Sequence, residues 1–273
     1  MRRRIVVLIV LGALVAAVAA AQFRQRGRQG FSQRADRYAT LEDFDGTFQF
    51  CRVVFRQGAG RGGNWSVDYP RADENLSIRL SELTKTSVGM GTDDLPNHLL
   101  VNLTDPVFFH CPFIMMTEVG SAFLSDQEAA NLRDYLLRGG FLWADDFWGE
   151  YAWEIWESQL RKALPSGQFP IVDLPIDHPM FHSLMSVKRI PQIPSINFWA
   201  GSGGRTSERG ADSAQPQVRA IFDDRGRIMV LMTHNTDFGD AFEREGDNHQ
   251  YFLRFAPAGY AFGVNALIYS MTH

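Results

Sequence analysis

Asp145 and Asp146 are the residues in this chain best placed to do chemistry. They follow the short apolar run Phe141-Leu-Trp-Ala144, and so stand beyond a strand's carboxyl end, where open α/β sheets hold their ligands. Other polar residues leave apolar segments in the same way: Asp68, Arg71 and Asp73, then Glu118, then His234, Asn235 and Asp237. Trp65 and Trp148 add flat apolar walls. Carboxylates, an arginine and tryptophans suit a saccharide or another polyol, whose rings stack and whose hydroxyls take paired hydrogen bonds. The bland alternative is structural. Asp68 would then pair with Arg71 across a turn, and Asp146 would cap the helix that begins near Glu150.

Catalysis is a narrower reading. Two carboxylates act as general acid and base when their surroundings separate their pKa values. Adjacent strand residues face opposite ways, so Asp145 pairs better with Glu118 or Asp68 than with Asp146. Asp145, His234 and Asp237 offer metal-ligating groups, but their spacing follows no strong metal pattern, and no metal or cofactor is expected. His178 and His182 lie four residues apart without the glutamate of a zinc-protease helix; His178, before Pro179, is expected to order a turn. Gly58, Gly60 and Gly63 have the form G-x-G-x-x-G. A dinucleotide site needs a helix to open there, whereas Asn64, Trp65 and Pro70 follow, so the stretch reads as a loop.

The elements that position these residues follow from periodicity. Ser125 with Glu128 is a capping box; Ala129, Leu132 and Leu136 make an apolar stripe, and Gly139-Gly140 ends the helix. Strands are expected at 48–55, 99–103, 112–117, 141–144 and 171–174. Helices are expected from about Asp73, over 150–164 and over 257–271. Gln217–Phe222 and Arg227–Thr233 read as a hairpin across Asp223-Asp-Arg-Gly226. Residues 201–216 read as an exposed insertion. Strands alternating with helices, and strands apolar on both faces, predict an α/β three-layer sandwich with a mostly parallel sheet and an added β-hairpin.

Met1-Arg-Arg-Arg4 followed by the apolar run 5–21, with Ala19-Ala20-Ala21 at its end, is expected to be an export signal. A retained membrane anchor is the alternative, since about 17 residues is the lower edge for spanning a bilayer. Residues 22–46 read as an arginine-rich tether, and 47–273 as one domain in the periplasm or facing it. Membrane contact is expected only through the N-terminal segment. The chain has 27 basic and 31 acidic residues; without Arg2, Arg3 and Arg4 the formal charge is about −7. That argues against nucleic acid as a partner and leaves a small polar ligand, a saccharide or an envelope protein. Cys51 and Cys111 could pair in an oxidising compartment; buried free thiols is the simpler expectation.

Four blocks, in order, resemble a known family. They are Gly62-Gly-Asn-Trp-Ser-Val-Asp-Tyr-Pro-Arg-Ala-Asp73, Leu124-Ser-Asp-Gln-Glu128, Leu132–Asp146 and Leu174-Pro-Ile-Asp-His-Pro179. They are similar to the bacterial domain-of-unknown-function family 4159. That resemblance implies the flavodoxin-like sandwich of the class I glutamine amidotransferase-like group, and no established activity. An amidotransferase of that group needs a cysteine on a strand-to-helix elbow with a histidine nearby. Cys51 lies within a strand and Cys111 precedes Pro112, so glutaminase chemistry is rejected. The alternatives left are a carboxylate- or metal-dependent hydrolase at the same edge and a non-catalytic interaction module.

Overall fold

The computed structural model describes residues 36–58 and 64–273. The expected export signal, residues 22–35 of the expected tether, and Gly60 and Gly63 lie outside the described residues. The strands are β1 (Phe50–Val53), β2 (Arg56–Gln57), β3 (His98–Val101), β4 (Ile114–Thr117), β5 (Ala122–Phe123), β6 (Leu142–Phe147), β7 (Val172–Asp173), β8 (Gln217–Phe222) and β9 (Ile228–His234). The helices are α1 (Arg71–Leu83), α2 (Asp126–Leu137), α3 (Gly149–Ala163), α4 (Ile196–Gly201), α5 (Phe238–Glu243) and α6 (His249–Thr272).

Seven strands form one sheet in the order β3-β1-β4-β6-β9-β8-β7, and β2 pairs with β5 in a separate ribbon. β3, β1, β4, β6 and β9 are parallel; β8 and β7 are antiparallel at one edge. Numbered within themselves, the five parallel strands run 2-1-3-4-5, the flavodoxin-like order. Strand alternation splits the core into two layers. Ile114, Met116, Leu142 and Ala144 face α2 and α3 with Leu132, Leu136, Trp156 and Leu160. Met115, Phe141, Trp143 and Leu231 face α1, α5 and α6 with Leu76, Leu80, Phe242 and Phe262. The three-layer sandwich follows.

Local signals govern most elements. The Ser125–Glu128 capping box forms, and Gly139 closes α2 at φ +108°, a backbone that a side chain would strain. The hairpin turn is held by Asp223, whose Oδ1 accepts the Arg225 and Arg227 amides at 2.9 Å each. His178 starts a short 3₁₀ turn, its Nδ1 accepting the Met180 amide.

Other elements depart from the sequence reading. α6 starts at His249, capped by the Asn248 side chain, and runs through Pro257 rather than beginning there. Pro257 lies on the exposed face, where water can satisfy the carbonyl that a proline leaves free. The folded unit begins at Arg37, not near Thr47: Ala39 donates to the Leu100 carbonyl and Leu100 to that of Arg37, lengthening the β3 edge.

Cys51 and Cys111 form a disulfide with Cα atoms 6.1 Å apart, which corrects the expectation of free thiols. Topology, invisible in the sequence, brings β1 beside the turn that precedes β4. Among the described residues no helix is long and apolar enough to cross a membrane.

Candidate functional site

Four neighbouring parallel strands each send a carboxylate to the same edge. Asp68 follows β1 and β2, Glu118 follows β4, Asp146 lies in β6 and Asp237 follows β9. All four line a cavity of ≈ 180 Å³, together with Trp148 and Ala152 at the start of α3. Its far wall comes from the α4 region and the loop after it, through Ser195, Ile196, Asn197, Glu208 and Arg209; Asp240 and Arg244 close it from α5.

Unusual backbone delivers these side chains. Among the described residues, five non-glycine positions have left-handed backbone, and four of them ring this edge: Asp68 (φ 63°), Glu118 (φ 53°), Asp146 (φ 56°) and Asn235 (φ 61°). Such conformations cost about 1 kcal/mol or more each, and they gather where a fold sacrifices stability for placement. At Asp146 the left-handed residue interrupts the register between β6 and β9. The two adjacent aspartates therefore reach different depths.

Asp145 points beneath the cavity. Its Oδ2 accepts the backbone amides of Phe238 (2.8 Å) and Gly239 (3.2 Å), and its Oδ1 accepts the Thr233 hydroxyl. It is fully buried and ties β6 to β9 and to the start of α5. Burial lifts its pKa to about 7, against the opposing pull of those hydrogen bonds.

Asp146 stays at the cavity, its Oδ1 accepting Trp148 Nε1 at 2.9 Å. It does not cap α3, as the structural alternative supposed. That cap comes from two distant side chains: Asn235 accepts the Gly149 amide (2.8 Å) and Asp212 the Glu150 amide (3.2 Å). Gly149 permits this through a left-handed φ of +81°; a Cβ there would fall 2.3 Å from Asp212 Oδ2. The stretch 201–216 is an exposed insertion over much of its length, as expected, and it also packs on the site through Glu208, Arg209 and Asp212. Ser213 is buried and its Oγ accepts the Arg209 amide.

The remaining sequence candidates lie elsewhere. Asp73 is fully buried in an ion pair with Arg52, which also donates to Thr117 Oγ1 (2.8 Å). Arg71 does not pair with Asp68; it faces Asp247 at 3.7 Å, partly exposed. Trp65 packs its ring edge on Tyr69 at 5.7 Å. His234 stacks on Phe147 at 4.8 Å, with Nε2 against the Gly149 carbonyl (3.0 Å); burial lowers its pKa to about 4. The proposed metal set of Asp145, His234 and Asp237 is not brought together.

A different cluster is. Asp68, Asp146 and Asp237, all buried, each offer a carboxylate oxygen, and the three oxygens lie within 4.8 Å of one another. Their carboxyls are held well above the usual range. Burial is the main cause for each, reinforced at Asp68 by Asp240 and Glu243, at Asp146 by Glu118 and Asp68, and at Asp237 by Asp146 and Asp68. Asp240, bonded to Arg244 Nε at 3.0 Å, is still lifted by burial to about 6. Sequence reasoning missed Asp240, Arg244, Glu208 and Arg209. Asp237 and Asp240 have helix-start spacing and Asp240 and Arg244 are four apart, a signal that marks a helix but not a cavity wall.

The family model of DUF4159, a domain of unknown function, matches residues 49–271. No curated protein matches the chain.

Proposed function

The chain belongs to the DUF4159 family, and we propose that it binds a small polyhydroxyl ligand, of saccharide type, at the carboxyl edge of its sheet. The observation that carries this reading is the continuity of two unlike cavities. The acidic one of ≈ 180 Å³ shares Trp148, Ala152 and Arg209 with an outer groove of ≈ 430 Å³ that adds Tyr151 and Asp212. A sugar ring in the groove would meet the aromatic faces of Trp148 and half-exposed Tyr151. Its hydroxyls would donate to the inner carboxylates and accept from Arg209, the division between apolar wall and placed polar groups typical of ligand sites.

Glutaminase chemistry stays outside this reading, because both cysteines are held in the disulfide and neither is a thiol nucleophile. The hydrolase alternative keeps one supporting observation: closely spaced carboxyls with raised pKa values, as a general acid requires. Export to the periplasm, proposed from the N-terminal sequence, would place such a site among envelope saccharides.

The test is calorimetric titration of the full chain with mono- and oligosaccharides, beside Tyr151→Ala and Arg209→Ala. Saturable binding that weakens tenfold or more in both variants supports the reading. Absence of heat for every saccharide class refutes it, and bond cleavage in the titrated mixture would transfer the site to the hydrolase alternative.

A further inference from the structure

Asp68 is 7% exposed, and its Oδ2 is buried with no hydrogen-bond partner among the described residues. The oxygen is pressed against the backbone of Gly239, where a Cβ would approach within 2.2 Å. Two arginines whose fields reach Asp68 are already engaged. Arg52 serves Asp73 and Thr117; Arg244 serves Asp240 at 3.0 Å and Glu243 at 2.8 Å. A buried carboxylate oxygen without a donor is costly, and Asp68 is crowded by two acidic pairs, Asp146 with Asp237 and Asp240 with Glu243.

We propose that Asp68, Asp146 and Asp237 bind one hard divalent cation in the inner cavity. The proposal deepens the ligand-site reading and rests on it, the cation forming the floor against which ligand hydroxyls would lie. All three groups offer oxygen, which selects Ca²⁺, Mg²⁺ or Mn²⁺ over the softer metals that take cysteine or histidine. Opposite ligands of a Ca²⁺ shell lie about 5 Å apart, which the span of these three oxygens accommodates. The partners of the ligand groups are in place: Trp148 Nε1 holds Asp146, and the Asp240 amide holds Asp237 Oδ1 at 2.8 Å. Among the three ligand groups, Asp68 Oδ2 is the buried oxygen that has no hydrogen-bond donor among the described residues.

The experiment is titration of the chelator-treated full chain with Ca²⁺, Mg²⁺ and Mn²⁺, followed by calorimetry and by Tb³⁺ luminescence sensitised through Trp148. Asp68→Asn and Asp237→Asn are the variants, and the exposed Glu154→Gln the control. One ion per chain is expected, with affinity lowered at least tenfold by Asp68→Asn and Asp237→Asn and unchanged in Glu154→Gln. In chelator Asp68→Asn is also expected to melt higher than the unaltered protein, because a crowded charge is gone, while losing the rise in melting temperature that the cation gives the unaltered protein. A crowded aspartate that holds no cation would show the first effect without the second. Absence of saturable binding for all three ions overturns the proposal, as does binding that both variants retain. Saccharide binding that persists in chelator would then leave the ligand reading standing; its absence as well would remove both.

Discussion

Asp145 offers the sharpest test of how the site is supported. Asp145→Ala leaves the Phe238 and Gly239 amides buried without an acceptor, while the Thr233 hydroxyl can turn to the Ala144 carbonyl at 3.2 Å. Two orphaned donors at about 1–3 kcal/mol each give a loss of about 4 kcal/mol. Asp145→Asn behaves differently. Its amide oxygen still accepts both backbone groups, and its nitrogen donates to Thr233 Oγ1, which has a lone pair left after accepting Trp143 Nε1 (2.8 Å). The variant imitates the protonated carboxyl. Because the folded-state pKa is raised from 3.8 to about 7, the proton stabilises the fold fully below pH 3.8, and that stability is lost as pH rises through 7. Relative to the unaltered protein, Asp145→Asn should therefore gain stability between pH 4 and pH 8, with an upper bound on the order of 4 kcal/mol. Urea unfolding of the three proteins at pH 5 and pH 8 measures this, and the other titrating groups cancel in the difference. If Asp145→Asn is as damaging as Asp145→Ala at pH 8, the carboxylate is needed ionised, and burial does not dominate its titration.

Three further outcomes follow from the same structure. His234 is held neutral, with its pKa lowered to about 4, so its contribution is present above pH 6.5 and is lost as pH falls toward 4, by up to about 3 kcal/mol; His234→Gln should flatten that limb in acid unfolding curves, and an unchanged curve would count against it. Reducing Cys51–Cys111, which closes a separation of 60 residues, should lower stability by about 4 kcal/mol in denaturant titrations with reductant, and a change below about 1 kcal/mol would show that the bond constrains little. Arg52→Met strands Asp73 in the core and should cost about 3–5 kcal/mol by thermal or urea unfolding, while Arg52→Met with Asp73→Leu should recover most of it.

Much of this architecture is legible in the sequence. The stripe and capping box of α2, the apolar strand before Asp145 and the hairpin turn at Asp223 are local codes, and the chain obeys them. Strand ends also tell which residues, among them Asp68, Glu118, Asp146, Trp148 and Asp237, could reach one edge, while the strand order that brings them to one cavity is a matter of topology. Local pattern cannot say which member of an adjacent pair faces the cavity. That depends on the left-handed backbone at Asp146, and the more obvious Asp145 becomes an internal tie. Nor does it reveal partners distant in sequence: Asp73 with Arg52, Asn235 and Asp212 on α3, or Cys51 with Cys111. The stretch 201–216 carries no periodicity because it is shaped by what it covers.

Four of the cavity's carboxylates, those of Asp68, Glu118, Asp146 and Asp237, come from strands lying side by side, and that makes the site a check on assembly. A strand that paired one residue out of register would exchange the faces of its side chains. In β6 such a slip would carry Asp146 toward the layer below and leave Asp145 without the amides of α5. Misregistered or partly assembled molecules would lack the site altogether, however compact. Ligand would then distinguish finished molecules from near misses, and in a cell it would act as an inspector of the folded population.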